Sequence, residues 1–285
     1  MKNASQQSTH EPSDAAESEV TAEVFLAPDG LKIFQHAAAE TKYVYQEIFE
    51  DRVYFRHGID LKNGETVFDI GANIGLFTLF VKENYENIKV HAFEPSPPIY
   101  NVLKANVARY GESVSIHACG MTDKPGEGNF TYYPNYSIMS GLHAGSDQDK
   151  ETLRAGIKSQ LLEQNVDPAD IQDRSLDRMV KVALGQKQEY TCQLRTISEI
   201  MDEDGIQAIG LLKIDAEGSE LDILAGIRDE HWGSIRQIVM EIHDPAGTAR
   251  AEAWTLLQKH GYQCLFEEEE RLSGSGIINC YAIRG

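Results

Sequence analysis

Residues 65–79 read Glu-Thr-Val-Phe-Asp-Ile-Gly-Ala-Asn-Ile-Gly-Leu-Phe-Thr-Leu, and this segment is more informative than any other part of the chain. Its apolar first half, which ends at Ile70, predicts a strand, and its second half predicts a helix. Gly71 and Gly75 lie between the two, where glycine lets the backbone turn tightly and approach a ligand closely. We therefore predict a strand–turn–helix unit whose turn forms part of a binding site.

The spacing of the two glycines argues against a dinucleotide site. Nicotinamide dinucleotides require Gly-x-Gly-x-x-Gly, but counting from Gly71 the second and third glycine positions hold Asn73 and Leu76. The turn therefore suits a nucleoside without a pyrophosphate, and the neighbouring acid Asp69 indicates a ligand with a positive group. S-adenosylmethionine carries an ammonium and a sulfonium and no phosphate, so we predict it as the cofactor. The residues predicted to surround it here are Asp69, Gly71, Asn73 and Gly75.

A second strand supplies the acid that a nucleoside site needs. Residues 88–94 alternate between polar and apolar and end in Glu94, 19 residues after Gly75. An acid at this strand end can accept hydrogen bonds from both ribose hydroxyls. Pro95 and Ser96 end the strand, and Ser96 is a predicted helix N-cap. We count both residues with the cofactor site.

Composition limits the class of protein. The 285 residues suffice for one large core, or one core and a small cap, and 41% apolar and 25% charged residues are typical of soluble globular proteins. A net charge of −19 argues against a general nucleic-acid binder. The four cysteines lack paired spacing, and no apolar stretch is long enough to cross a membrane. Residues 1–22 lack the apolar core of a signal peptide, so we predict a disordered tail and a cytoplasmic protein.

From residue 66 onward, strand patterns alternate with helix patterns, which predicts a parallel sheet with helical crossovers. A hairpin at 262–283 follows. We predict an α/β protein of the Rossmann-like class I methyltransferase fold: a mostly parallel seven-stranded sheet closed by a C-terminal antiparallel hairpin. Residues 23–60 form an N-terminal cap segment, and 61–285 form the main domain. The predicted core strands are 66–70, 88–94, 113–119, 209–214 and 236–242, and the helices are 75–85, 97–110, 196–204, 217–228 and 246–260.

The connection between the third and fourth strands is longer than a crossover requires. Within it, residues 145–190 contain two segments with helical spacing, which predicts a helical insertion over the ligand-facing edge of the sheet. The insertion is either a lid or a solvated excursion without a role, and the sequence leaves both open. An aromatic stretch just before it either lines a substrate pocket or packs under the helices; it contains Tyr132, Tyr133, Tyr136 and Met139, followed by Ser140 and Gly141.

Ligands of open α/β sheets bind at the carboxyl ends of the strands, and this rule selects further candidates. Cys119 and Gly120 follow the third strand, where their backbone could meet the edge of an adenine. Asp215 follows the fourth strand and could hold the methionine ammonium.

Glu217, Glu241 and His243 share this rim. The carboxylates could bind the ammonium, orient a general base, or hold a divalent metal; we rank metal last, because histidine is a poor magnesium ligand, and predict no metal site. His243 is the predicted base, because a neutral imidazole with a pKa of about 6.5 can take a hydroxyl proton. Glu217 or Glu241 would orient the ring. The alternative is a histidine that merely follows a strand.

The chain resembles the FkbM family of S-adenosylmethionine-dependent methyltransferases. The motifs that carry this resemblance are 66–78 (Thr-Val-Phe-Asp-Ile-Gly-Ala-Asn-Ile-Gly-Leu-Phe-Thr), 93–96 (Phe-Glu-Pro-Ser) and 212–221 (Leu-Lys-Ile-Asp-Ala-Glu-Gly-Ser-Glu-Leu). The last is the most specific. The resemblance implies that Asp69, Gly71, Asn73, Gly75, Glu94 and Asp215 surround the cofactor.

Two further segments, 43–58 and 235–244, look like those of family members that serve polyketide and nonribosomal-peptide assembly lines. That resemblance implies methylation of a hydroxyl oxygen on a small-molecule acceptor. A chain that stands alone implies action in trans, and the sequence leaves open whether the acceptor is free or bound to a carrier protein. It predicts no oligomeric state.

We therefore predict a metal-independent O-methyltransferase for a polyketide-type product. The alternatives are a methyltransferase for sugar or glycolipid hydroxyls, a cofactor-binding partner of an assembly line without catalysis, and, third, a dehydrogenase.

Overall fold

The computed structural model describes residues 23–145, 147–163, 166–244, 247–268 and 276–285. The predicted tail at 1–22 lies outside the described residues. Within them, no helix is both long and apolar enough to span a bilayer. The strands are β1 (Glu23–Leu26), β2 (Lys32–Gln35), β3 (Thr66–Ile70), β4 (Lys89–Phe93), β5 (Val114–His117), β6 (Cys119–Met121), β7 (Gly126–Tyr132), β8 (Gln188–Arg195), β9 (Leu211–Ile214), β10 (Gln237–His243), β11 (Tyr262–Glu267) and β12 (Ile277–Arg284). The helices are α1 (Ala38–Tyr45), α2 (Leu76–Asn84), α3 (Pro97–Val107), α4 (Asp147–Glu163), α5 (Asp173–Ala183), α6 (Ile197–Glu203), α7 (Glu220–Ala225), α8 (Asp229–Trp232) and α9 (Ala249–Lys259).

The main sheet has seven strands in the order β11-β12-β10-β9-β3-β4-β5. The five strands from β10 to β5 run parallel, and β12 pairs antiparallel with both β10 and β11. This arrangement confirms the predicted Rossmann-like fold, including the C-terminal hairpin. Because β3 and β9 are adjacent at the centre, the glycine turn and the end of β9 lie side by side.

Alternating residues of the central strands pack into two cores on opposite faces of the sheet. Val67 packs with α2, α3 and the N-terminal segment, whereas Phe68 and Ile70 pack with α6, α7 and α9. This alternation follows from the two-residue period of a strand. Both faces are covered, as a parallel sheet requires.

The N-terminal segment, predicted as a cap, forms a hairpin and a helix. β1 pairs antiparallel with β2, and one turn of π-helix at Gln46–Glu50 directly continues α1. The rings of Tyr45 and Phe49 stack at 4.4 Å. Ile48 is buried beside them, so this helix packs its apolar face on the domain.

The region after β5 differs from the prediction. The third strand was predicted at 113–119, but β5 ends at His117 and Cys119 begins β6, which belongs to a separate sheet of order β6-β8-β7. β8, which begins inside the predicted insertion, was missed. β8 pairs with β6 and β7, and the paired residues are more than 50 positions apart in the sequence. No turn between neighbouring strands could therefore indicate this pairing. The two predicted insertion helices are present as α4 and α5.

The predicted helix at 217–228 is shorter in the structure. Glu217 and Gly218 have φ of 48° and 88°, values of the left-handed region, so α7 begins only at Glu220. This unusual turn places the Glu217 side chain at the strand ends instead of on a helix.

Candidate active site

A cavity of about 210 Å³ lies at the carboxyl ends of the central strands. We term the strand-end residues 69–76, 94, 213–217 and 241–243 the floor. We term α1, the loop at 134–145 and α4 the roof, because residues of all three line the cavity opposite the floor. Within the roof, Glu40 of α1 accepts from the backbone N–H and hydroxyl of Ser137. The roof is joined to the floor by Asn73, whose Nδ2 donates to Ser137 Oγ at 3.4 Å.

The glycine turn is shaped by protein packing as well as by any ligand. Gly71 has φ of 70°, and a Cβ there would lie 1.7 Å from the carbonyl oxygen of Asp215. Gly75 has φ of 93°, and its Cβ would lie 2.7 Å from Leu103. Gly71 cannot take a side chain, because the turn passes directly over the backbone that follows β9, whereas a side chain at Gly75 would press against Leu103 of α3 and strain the left-handed backbone. Gly71 and Asn73 line the cavity, as predicted, and Gly75 supports the turn from behind.

Glu94, the acid predicted to bind the ribose, lies beside the glycine turn. It lines the cavity, and its Oε1 accepts from the Ser96 N–H at 2.9 Å and its Oε2 from the Asn73 N–H at 3.1 Å. Each carboxylate oxygen can accept one further hydrogen bond, so two hydroxyl donors can still be satisfied. Burial raises the pKa of Glu94 to about 7, although the two backbone donors oppose this shift.

Asp69 has an internal role that the sequence analysis did not predict. It is fully buried and its carboxylate accepts a 2.7 Å hydrogen bond from Thr78 and lies 3.3 Å from Lys213 Nζ. It is not among the residues that line the cavity. In the structure the positive group beside this acid is Lys213, and the contact between Asp69 and a positive ligand group stays a prediction.

Lys213 connects the acids of the floor to the glycine turn. Its Nζ lies 3.5 Å from Asp215 and donates to the carbonyl oxygens of Ile70 at 3.2 Å and Gly71 at 2.9 Å. Burial alone would lower the pKa of Lys213, but Asp215 and Asp69 outweigh it and raise the pKa above its usual value. The lysine is therefore a fixed charge in the interior.

Asp215 lines the cavity and is oriented by two partners. Besides Lys213, Tyr54 donates its hydroxyl to Asp215 Oδ2 at 2.9 Å. Sequence reasoning missed both partners, because Tyr54 lies 161 residues from Asp215 in the chain and Lys213 reads as one more residue of a strand.

Three glutamates surround His243. Its Nε2 lies 3.2 Å from Glu217 and 3.6 Å from Glu241, and its Nδ1 lies 3.3 Å from Glu220. The structure thus brings together all three residues predicted for proton transfer. The structure adds Glu220 to this group. The only indication of Glu220 in the sequence is its position three residues after Glu217.

The charges in this cluster bear on the predicted neutral imidazole. Burial alone would lower the pKa of His243, but Glu217 and Glu220 raise it well above its usual value. Both ring nitrogens lie near carboxylates, which favours the protonated ring, and the role of His243 as the base stays a prediction. Burial raises the pKa of Glu217 to about 7, against the effect of His243, and burial with Asp215 holds the pKa of Glu241 well above its usual range. A carboxylate with a pKa near 7 can accept a proton at neutral pH.

Several predicted cofactor residues are not brought to the cavity. Cys119 is buried in the second sheet, and the side chains of Leu142 and Leu194 pack against Gly120. Cys119 and Gly120 are therefore not among the residues that line the cavity. Pro95 and Ser96 do not line it either; Ser96 occupies the N-cap position of α3 without a side-chain cap, and it contributes its N–H to Glu94. Contacts of these four with the cofactor stay predictions.

A separate group with the spacing of metal ligands lies away from the floor. His91 Nδ1 is 3.1 Å from His117 Nε2 and 3.4 Å from Asp204. The rings are 18° from parallel with centroids 5.3 Å apart. In this nearly edge-to-edge arrangement the two nitrogens face each other, as in an N–H···N hydrogen bond. Among the described residues, this is the one group in which three potential metal-ligand atoms lie within 4.8 Å of one another.

S-adenosylmethionine fits the lining of the cavity. Glu94 has lone pairs for two ribose hydroxyls, and the lining is otherwise rich in carboxylates. Among the described lining residues the cations are Lys213 and His243, and both are already engaged by carboxylates. A cationic nucleoside suits this charge, whereas a pyrophosphate would find no free cation in the described lining.

The chain is similar to methyltransferases of known families. Residues 69–264 match a model of the methyltransferase FkbM domain. The chain is 37% identical to the 31-O-demethyl-FK506 methyltransferase FkbM of Streptomyces tacrolimicus, with 92% of this chain and 97% of that protein covered. It is 38% identical to AMB antimetabolite synthetase AmbE of Pseudomonas aeruginosa, with 90% of this chain but 12% of that protein covered. It is 31% identical to methyltransferase sdnD of Sordaria araneosa, with 86% and 91% covered.

Proposed function

We propose a function from the premise that this chain belongs to the FkbM family of methyltransferases. It is a methyltransferase that uses S-adenosylmethionine. Our proposal is that it transfers the methyl group, in the cytoplasm and without a metal, to a hydroxyl oxygen of a polyketide-type natural product or biosynthetic intermediate. The names of the relatives support this class of acceptor, since one of them is a methyltransferase for an O-demethylated FK506.

The observation that carries the proposal is a single cavity that contains both halves of such a site. The glycine turn and Glu94 line one part of it, and Glu217, Glu241 and His243 line another. S-adenosylmethionine, when bound, supplies a methyl group made electrophilic by the sulfonium. Glu94 would hold the ribose, and Asp215, oriented by Lys213 and Tyr54, would hold the ammonium.

The proton of the acceptor hydroxyl needs a base, and we assign that role to Glu217. As the acceptor oxygen gains a methyl group it loses its proton, which would pass to the Glu217 carboxylate. His243 is then a positioning residue: its Nε2–H holds Glu217 at 3.2 Å, and Glu220 holds the opposite side of the ring at 3.3 Å. Glu241 shares this network.

The first test concerns the acceptor. The metabolites of the producing organism are compared by mass spectrometry with those of a strain lacking this gene. We expect the deletion strain to accumulate a compound lighter by one CH₂ unit, and purified protein with S-adenosylmethionine should convert it to the missing product. Unchanged metabolites in the deletion strain would contradict the proposal.

The second test concerns the proton. His243→Gln removes the positive charge beside Glu217, so the carboxylate should become more basic and the pH at which kcat is half-maximal should rise above about 7. A lower kcat with an unshifted pH profile would contradict the positioning role.

Dialysis against EDTA tests metal independence. Activity that is lost on dialysis and then restored by Mg²⁺ would contradict it.

A further inference from the structure

We propose that the roof side of the cavity is the acceptor site, that it takes an uncharged acceptor with an apolar body, and that Gly156 leaves the space for that body. The inference rests on the proposed function, because it assumes that the floor is occupied by the cofactor. It goes further by naming the chemical class of the acceptor and a residue that determines specificity.

The roof surface that faces the cavity is mainly apolar. Its lining includes Val44 of α1, Tyr136, Ile138 and Met139 of the loop, and Leu153 of α4. The one charged roof residue in the described lining, Glu40, is engaged by Ser137. This surface can therefore bury hydrocarbon, and the polar groups that it adds are mostly uncharged hydroxyls, among them those of Thr152 and Ser159.

The roof adjoins the proposed proton acceptor. A Cβ added to Gly141 would lie 3.0 Å from the Glu217 Cβ and 3.3 Å from the Glu217 carbonyl oxygen, so the roof loop rests directly on the Glu217 turn. A molecule held under the roof thus has its hydroxyl within reach of the Glu217 side of the floor.

The charge around this space disfavours an anionic acceptor. Glu47, Glu217 and Glu241 line the cavity, and the described cations of the lining, Lys213 and His243, are already paired. A carboxylate or phosphate near the reacting hydroxyl would bring a further negative charge close to these acidic side chains, and each of the described cations is already paired with a carboxylate. A uronic acid is therefore a poor acceptor, whereas a neutral alcohol is acceptable.

Gly156 is the residue that makes room. It lies in the middle of α4, where glycine is less favourable than alanine for helix stability. It shares one helix face with Thr152, Leu153 and Ser159, and all four line the cavity. A Cβ at Gly156 would have no atom within 4 Å apart from its own helix, so protein packing does not require the glycine. The space in front of it is part of the cavity.

The experiment uses two dyes with the same skeleton and the full chain saturated with S-adenosylhomocysteine. N-phenyl-1-naphthylamine is neutral, and 1-anilinonaphthalene-8-sulfonate adds one negative charge. Fluorescence titration should show that the neutral dye binds at least about tenfold more tightly than the sulfonate, a ratio that ordinary affinity differences allow titration to resolve. Equal affinities, or no binding of the neutral dye, would overturn the charge argument.

The matched variants are Gly156→Trp, which fills the space, and Lys158→Trp, which adds the same ring to an exposed position of the same helix outside the lining. Gly156→Trp should weaken the neutral dye at least about tenfold and leave the affinity for S-adenosylhomocysteine unchanged, whereas Lys158→Trp should change neither. Wild-type dye binding in Gly156→Trp, or loss of S-adenosylhomocysteine with the dye, would overturn the inference. Failure of the wild-type chain to bind S-adenosylhomocysteine would instead refute the proposed function.

Discussion

The floor and the roof enclose the same cavity, but different interactions hold them. In the floor, Lys213 and Asp69 are buried and bind each other and the glycine turn. In the roof, α4 is held to α5 by a small apolar cluster and by ion pairs of Arg154 with Asp173 and Asp177. The two aspartates are exposed. Breaking a buried pair leaves an uncompensated charge in the interior, whereas an exposed pair is replaced by water.

This difference matches the two tasks of a methyltransferase. The cofactor is the same in every turnover, and in our proposal a floor of mutually bound charges holds its site in one geometry. The acceptor differs among related enzymes, and a roof of apolar side chains on an inserted helix can change by substitution without disturbing the floor. The comparison therefore predicts large effects for changes in the floor and small ones for changes at the roof surface.

The largest effect is expected for Lys213→Met. The change leaves Asp69 and Asp215 without their cation and should lower the free energy of unfolding by about 3–5 kcal/mol, measured by urea denaturation. Lys89→Met, on an exposed residue at the start of β4, is the control and should cost little. Equal stability of the two variants would show that the buried pairing does not hold the floor.

Glu217→Gln should lower kcat by about 10²–10⁴-fold, because the amide cannot accept the hydroxyl proton, with nearly unchanged affinity for S-adenosylhomocysteine. In the wild type, kcat should rise with pH through about 7, the pKa of this carboxyl. Asp222→Asn, on an exposed acid of the adjacent helix, should retain activity. If Glu217→Gln turned over normally, the base would have to be another group.

The variant Glu94→Gln tests whether Glu94 is protonated in the folded protein when no ligand is bound. The pKa of Glu94 is raised from about 4.5 to about 7, so the folded state holds a proton that the unfolded state has released. The stabilising contribution of this group is fully present below pH 4.5 and is lost as the pH rises through 7.

The wild type should therefore lose roughly 1–3 kcal/mol between pH 5 and pH 8 relative to Glu94→Gln, measured by urea denaturation at both values. The exposed control Glu86→Gln should keep the pH dependence of the wild type. A constant difference between wild type and Glu94→Gln would mean that the raised pKa is wrong.

The smallest effect is expected for Arg154→Met in the roof. Loss of its exposed pairs should cost at most about 1 kcal/mol, and less in high salt. Thermal unfolding at low and high ionic strength measures this. A loss as large as that of Lys213→Met would remove the distinction between the roof and the floor.

Local patterns were sufficient for most of the fold. The glycine turn after β3, the alternation in β4 and the helix at Pro97 each depend on neighbours within a few residues, and all three are present. The second sheet was missed because β7 and β8 are far apart in sequence. α7 was predicted too early because nothing local indicates that Glu217 takes a left-handed conformation.

Residue patterns along the chain were enough to predict the parallel sheet, the position of the glycine turn and the acid Glu94 at a strand end, because periodicity, glycine spacing and strand ends are local properties. Which charges meet depends on how the chain folds in three dimensions. The tertiary structure placed Lys213 between Asp69 and Asp215, brought Tyr54 to Asp215, and surrounded His243 with three glutamates. The charge of a buried group depends on its neighbours in space and on its distance from water, and neither can be read from positions along a chain.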